Sequence, residues 1–227
     1  MSNWEQNLLA RYDWKRRNAA GHFENVARSG LSEGDIDNFN GWAGTDMELV
    51  GADYGQGLLL DGTKQQWHTA DAFADFGNQN FSFEMWFQIT DFTHNNYLLR
   101  KHNGASTGYE IMVDVNGAVT INTGNGVGVD TTTTNNGVIA GHSIHHLIVS
   151  RVGTAFLVFV NGIPVGLAAV GVHAVIASSA AEVLYVYARN AVTLNLDGYG
   201  GMVSIWDGRS LSAADAHERN MLRPTKC

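Results

Sequence analysis

Cleaving a sugar linkage with retention needs two carboxyl groups about 5 Å apart, which on one β-strand means acids at alternate positions facing the same way. The acids nearest to this pattern are Glu84, set between Phe83 and Met85, and Glu110 with Asp114. Residues 110 and 114 share a face but stand about 13 Å apart at the normal strand rise. No strand carries the pair, so no catalytic residue is expected and the protein reads as a non-enzyme. His142, His145 and His146 offer nitrogen at a spacing zinc tolerates. On a strand, however, 145 and 146 face opposite ways, so the expectation is structural: one packed and hydrogen-bonded, the other at the surface. Calcium takes oxygen ligands, and Asp35, Asp37, Asp46, Asp53, Asp71 and Asp75 supply them in loops. Asp35-Ile-Asp37 lacks the Gly and distal Glu of an EF-hand loop, and no residue is assigned as a metal ligand. A structural calcium stays open and no other cofactor is expected.

Binding without chemistry has its own residue types. A sugar is gripped by an aromatic ring beside amide and carboxylate groups. The candidates are Trp67, Trp86, Tyr97 with Asn95 and Asn96 before it, and Tyr199. Each is also suited to a core. Lys15-Arg16-Arg17 is the only basic cluster. With Trp4 it is expected to meet an acidic patch on a protein partner.

The composition narrows the partners. The 227 residues include 14 basic and 22 acidic ones, a formal net charge of -8, which argues against nucleic acid and anionic lipid. No run approaches the ~18 apolar residues that span a bilayer, so no membrane insertion is expected. Cys227 is the sole cysteine, which excludes a disulfide scaffold and a cysteine metal site. The first residues lack the apolar stretch of a secretory signal, so folding in a cytoplasm is expected.

These residues need elements to position them, and the clearest period is two. Phe81, Phe83, Met85, Phe87 and Ile89 fall on one side of a run whose other side is Ser82, Glu84, Trp86 and Gln88, which predicts a half-buried strand. Asn116-Gly117 between 109–115 and 118–121, and Asn161-Gly162 between 155–160 and 163–165, predict two-residue hairpins with both central residues at positive φ. Pro164 belongs on an edge strand. Further strands are predicted at 57–60, 145–150, 183–187 and 201–206. Ser212 and Asp215 form a capping box that opens the one helix, closed by Pro224. Residues 15–53 and 122–136 show no clean period and read as long excursions.

Six ordered segments carry a resemblance: Gly57-Leu-Leu-Leu-Asp-Gly62, Phe81-Ser-Phe-Glu-Met-Trp-Phe87, Ser143-Ile-His-His-Leu-Ile-Val-Ser-Arg151, Phe159-Val-Asn-Gly-Ile-Pro-Val165, Leu196-Asp-Gly-Tyr-Gly-Gly-Met-Val-Ser-Ile-Trp206 and Leu211-Ser-Ala-Ala-Asp215. Over roughly residues 55–222 the chain resembles the laminin-G-like (LamG) branch of the concanavalin A-like lectin/glucanase superfamily. It departs from that pattern at Ile144, where the family has Trp, at Leu60, where it has Phe, and in the long lead-in. The resemblance implies an all-β, two-sheet antiparallel jelly-roll sandwich with a short C-terminal helix. Many short alternating strands without covering helices point the same way. Residues 1–54 then form an N-terminal arm and irregular lead-in packed on the sandwich, and 55–227 the LamG-like domain. The implied function is a non-enzymatic structural or attachment protein, such as a bacteriophage virion surface component (capsid decoration or tail-associated). Its partners would be other virion or capsid proteins, surface glycans or further copies of itself, and its place the virion surface. The alternatives are a carbohydrate-binding lectin or adhesin module, calcium-dependent or not, and last a glycoside hydrolase.

Overall fold

A computed structural model describes residues 7–12, 25–28, 38–40, 49–52, 55–62, 65–68, 71–189 and 195–222. Trp4, Lys15, Arg16, Arg17, Asp35, Asp37, Asp46, Asp53 and Pro224 lie outside the described residues. Two antiparallel sheets face each other. Sheet I contains β1 (Leu8–Tyr12), β3 (Leu49–Ala52), β4 (Gly55–Asp61), β6 (Phe81–Ile89), β11 (Ile144–Val152), β12 (Ala155–Val160), β13 (Ile163–Pro164) and β16 (Asp197–Asp207). Sheet II contains β2 (Asn38–Asn40), β5 (Gln65–His68), β7 (Asn96–His102), β8 (Gly108–Val113), β9 (Val119–Gly124), β10 (Val129–Thr134), β14 (Leu167–Ala169) and β15 (Leu184–Val186). The spatial orders are β13-β12-β11-β6-β16-β4-β3, with β1 on β16, and β14-β10-β9-β8-β7-β15-β5-β2. The helix α1 (Ala213–Met221) follows β16. This is the jelly-roll sandwich that the resemblance implies and the alternating strands favour.

The core lies between the sheets because alternate residues of the longer strands are apolar. Phe81, Phe83, Met85, Phe87 and Ile89 of β6 meet Tyr109, Ile111 and Val113 of β8, all buried. Each such side chain removed from water contributes about 1.5–3 kcal/mol. The other side of β6 departs from the expected half-buried strand, since Ser82, Glu84 and Trp86 are buried too. The cause is tertiary: α1 and the segment before it cover the outer face of sheet I. Leu211 and Ala216 pack there on Ile148, Phe159 and Trp206. The Leu211 amide donates to Ser82 and Ser150 Oγ at 2.9 and 2.8 Å.

Local chemistry explains the turns. Asn161 (φ 53°) and Gly162 (φ 79°) make the two-residue turn between β12 and β13. The Asn116-Gly117 turn is different, for only Gly117 has positive φ. Asp114 accepts from the amides of Asn116 and Ala118 at 2.8 and 2.9 Å, widening the loop to residues 114–118; a carboxylate that satisfies two amides outcompetes the tighter turn. The expected excursion at 122–136 is instead mostly paired: residues 129–133 of β10 pair with 120–124 of β9. Its threonines suit a strand by β-branching, but their polarity hides the apolar alternation. Of the N-terminal lead-in, β1, β2 and β3 are strands of the two sheets. Pro164 sits in β13, the end strand of sheet I.

Candidate functional site

The register of sheet II sets one row of residues across adjacent strands: Tyr185 opposite Arg100, Arg100 opposite Glu110, Glu110 opposite Asn122, and Asn122 opposite Thr131. Their neighbours Leu99, Tyr109, Ile111 and Ile121 point into the core, so by the two-residue period the row lies on the outer face. From Arg100 to Thr131 it is linked side chain to side chain. Arg100 Nε donates to Glu110 Oε2 at 3.3 Å, Asn122 Nδ2 to Glu110 Oε1 at 2.8 Å, and Thr131 Oγ1 to Asn122 Oδ1 at 2.7 Å. Arg100 Nη1 also donates to the Arg189 carbonyl at 2.9 Å.

The row has a floor and a rim. The Arg100 and Glu110 side chains are 12% and 11% exposed, whereas Thr131 is open to solvent. Tyr97 lies beside it: its ring carries the Arg189 guanidinium 5.2 Å from the centroid. Burial and the Glu110 charge raise the Tyr97 phenol above its usual range, against the opposing pull of Arg189 and Arg100. His102, on the same strand, is lowered by burial. The face thus offers the half-buried guanidinium of Arg100, the half-buried Asn122 amide and Tyr185 ring, and the exposed Thr131 hydroxyl, with Glu110 (8% exposed) and Tyr97 (4%) buried beneath and beside them. Those are the groups that grip neighbouring hydroxyls of a sugar.

The residues expected from the sequence are distributed over three places. Tyr97 belongs to the face just described, and Trp67 stands in β5 opposite Tyr185. Trp86 and Tyr199 belong to the outer side of sheet I and are 3% and 4% exposed. Trp86 stacks on His146 with centroids 4.4 Å apart, and burial pushes the Tyr199 phenol up to about 12. Asn95 and Asn96 are at the entry to β7. Asn96 Nδ2 donates to the carbonyls of Asp91 and His94 at 2.8 and 3.2 Å, and its Oδ1 accepts from the Asp197 amide at 3.0 Å. Arg100, Asn122, Thr131, Tyr185 and Arg189 were not singled out by sequence reasoning. Only strand register assembles them, and the one available signal was the polar side of the 109–115 alternation.

The acids and histidines weighed for chemistry are engaged elsewhere. Glu84 is fully buried beneath α1, where Arg219 Nε donates to its Oε1 at 2.7 Å and Arg219 Nη2 to its Oε2. His146 Nε2 lies 2.9 Å from Oε1. Burial opposes ionisation of Glu84, but the bonds from His146 and Arg219 outweigh it and hold the carboxyl at about 2. Such a group stays ionised and gives up no proton near neutral pH. Asp114 is tied into its turn. The histidine expected at the surface is not there: His145 and His146 are 5% and 0% exposed. They do point to opposite faces, His145 toward Ala140 and Phe87, His146 toward Glu84. Both are covered because β11 lies mid-sheet between β6 and β12, with α1 above. Among the described residues no group of three His, Cys, Asp or Glu is arranged to hold a metal ion.

Two stacked antiparallel sheets with a polar and aromatic outer face define a lectin-type sandwich. The chain belongs to the concanavalin A-like lectin/glucanases superfamily, whose family model matches residues 61–217. No curated protein sequence matches it. Among solved structures it is similar to the CBM40 of a Ruminococcus gnavus IT-sialidase, bound to α2,3-sialyllactose, with 11% identity over 72% of this chain and 96% of that one, TM-score 0.55. It is also similar to domain 4 of AbnA, a GH43 extracellular arabinanase from Geobacillus stearothermophilus, in complex with arabinotriose, with 16% identity, 93% and 97% coverage and TM-score 0.58. A Trypanosoma rangeli sialidase aligns with 14% identity over 94% of this chain but 32% of its own, TM-score 0.58.

Proposed function

We propose that the protein is a non-enzymatic carbohydrate-binding module that takes its ligand across the outer face of sheet II. The row Arg100–Glu110–Asn122–Thr131, flanked by Tyr185 and Tyr97, carries the reading: a hydrogen-bonded series of donors and acceptors at the spacing of strands, about 4.8 Å. The sialyllactose and arabinotriose of the two similar bacterial modules lend it support, as ligands of the same fold. The non-catalytic part is supported by the state of the acids, Glu84 locked as a carboxylate and Glu110 paired with Arg100.

The test is a glycan array followed by calorimetric titration, with and without a chelator. A hit that weakens in Arg100→Ala and Asn122→Ala but not in Trp86→Phe supports the site. No hit on any glycan, or one indifferent to both substitutions, overturns it. Loss of binding in chelator would add a calcium to the site. Turnover of laminarin or a related glucan would overturn the non-enzymatic part. The setting we give this face is attachment from a bacteriophage virion surface, beside other virion or capsid proteins. Immunogold labelling of purified particles tests that setting, and unlabelled particles would remove it.

A further inference from the structure

Two of the three guanidinium nitrogens of Arg100 are spent inside the row, Nε on Glu110 Oε2 and Nη1 on the Arg189 carbonyl. Nη2 makes no hydrogen bond to any described residue. Beside it runs the loop of residues 103–107, which joins β7 to β8. Asn103 Oδ1 accepts from the amides of Ala105, Ser106 and Thr107 at 2.8, 2.8 and 3.1 Å. The Ser106 carbonyl accepts from the Gly126 amide at 2.8 Å, which fastens the loop to the turn between β9 and β10. Within this loop Gly104 is exposed, with φ +86°. A Cβ there would stand 3.6 Å from Arg100 Nη2 and, beyond its chain neighbours, meet nothing else within 4 Å.

The position of Gly104 is set by His102, whose Nδ1 accepts from the Gly104 amide at 2.8 Å. The His102 ring is 2% exposed. An Nδ1 that accepts leaves the proton on Nε2, and that donor has no partner. Both unspent groups next to Gly104 are therefore donors, and the ligand atom that suits them is an oxygen that accepts.

Charge decides which kind of oxygen. Arg189 supplies a second guanidinium, held over the Tyr97 ring. Glu110 and Glu182 supply two carboxylates whose charges both act on His102, with Arg100 opposing them. Two cations thus meet two anions, and the chain as a whole carries -8. An anionic ligand would have to share Arg100 with Glu110 and leave one carboxylate uncompensated in a half-buried place. We propose that the face takes a neutral sugar, one of whose hydroxyl or ring oxygens accepts from Arg100 Nη2, and that Gly104 is the specificity-determining residue because its missing side chain keeps that nitrogen open. This rests on the glycan reading of the face and adds a ligand class to it.

The probe is an array of neutral oligosaccharides beside the same chains capped with sialic acid or sulfate. The neutral members should bind, and their capped counterparts about 10-fold more weakly or worse. Calorimetry with the best array ligand should give an affinity steady within about two-fold between about 0.01 and about 1 M salt, over which the screening length falls from about 30 to about 3 Å. Gly104→Asp keeps a residue type that tolerates positive φ and sets a carboxylate against Nη2. It should lower that affinity about 10-fold with thermal unfolding near that of the unsubstituted protein. The array and the salt series use the unsubstituted chain and decide the matter even if this variant does not fold. A preference for the capped chains, an affinity that falls steeply with salt, or a folded Gly104→Asp that binds as before would each overturn the proposal. A hit confined to acidic glycans and abolished in Arg100→Ala would leave the binding face standing and remove only the neutral class. No hit at all would remove the face and this inference together.

Discussion

Arg219 in the last turn of α1 closes onto Glu84 of β6, 135 positions earlier in the chain, with Nε 2.7 Å from Oε1. The guanidinium also lies over Trp206, 5.0 Å from the ring centroid. Removing one partner of a buried ion pair leaves a charge without compensation, which costs about 3–5 kcal/mol. Arg219→Met and Glu84→Gln should each lower stability by that order in chemical denaturation while sugar affinity is unchanged. A loss below about 1 kcal/mol would mean the pair is not buried in solution.

The same carboxyl makes an acid limb. Glu84 titrates at about 2 in the folded chain against an ordinary 4.5. A lowered folded value means its stabilisation is present above pH 4.5 and is lost as pH falls toward 2. Glu84→Gln should flatten that part of a stability-versus-pH curve, and an unchanged slope would refute the assignment.

His173 acts in a higher window. Burial is the main cause that lowers it from 6.5 to about 4, with Arg151 helping and Asp130 opposing. Between those values the unfolded chain binds more protons than the folded one, so stability is full above pH 6.5 and falls toward pH 4. His173→Asn should lower overall stability yet remove part of this slope in denaturation series at pH 7, 6, 5 and 4. A slope identical in the variant would sink the idea.

Gly162 lies where β13 turns beneath α1. Its φ is +79°, and a Cβ there would fall 3.0 Å from Asn220 Cβ and 3.3 Å from the Ala216 carbonyl oxygen. Gly162→Ala therefore combines a left-handed alanine with crowding of the helix, and should destabilise by about 1–3 kcal/mol. Thermal melts beside Gly153→Ala, where φ is +61° but nothing lies within 4 Å, would separate the left-handed strain from the crowding.

On the binding face, Arg100→Ala removes a charged donor and should weaken sugar affinity about 10- to 100-fold, while Asn122→Ala should cost about 5-fold. Calorimetry reads both. Equal effects on an unrelated protein ligand would assign the row to protein contact instead.

Much of the fold was legible in the residues. The alternation in Phe81–Ile89, the Asn161-Gly162 turn and the Ser212/Asp215 cap each depend on neighbours in sequence, so local chemistry alone specifies a strand, a hairpin and a helix start. β10 was not legible, since its threonines present no apolar period. Nor was the burial of Glu84, Trp86 and His146, which depends on a helix that begins more than sixty residues beyond any of them. The binding face lay further still from local reading. Arg100, Glu110, Asn122 and Thr131 sit on four strands, and nothing in their separate surroundings distinguishes them from solvated polar residues. Where apolar and polar residues alternate, as in Phe81–Ile89, sequence by itself determined which residues share a face, because the pleat has a period of two. Which outward residues meet one another was decided only by cross-strand register, a property of the assembled sheet.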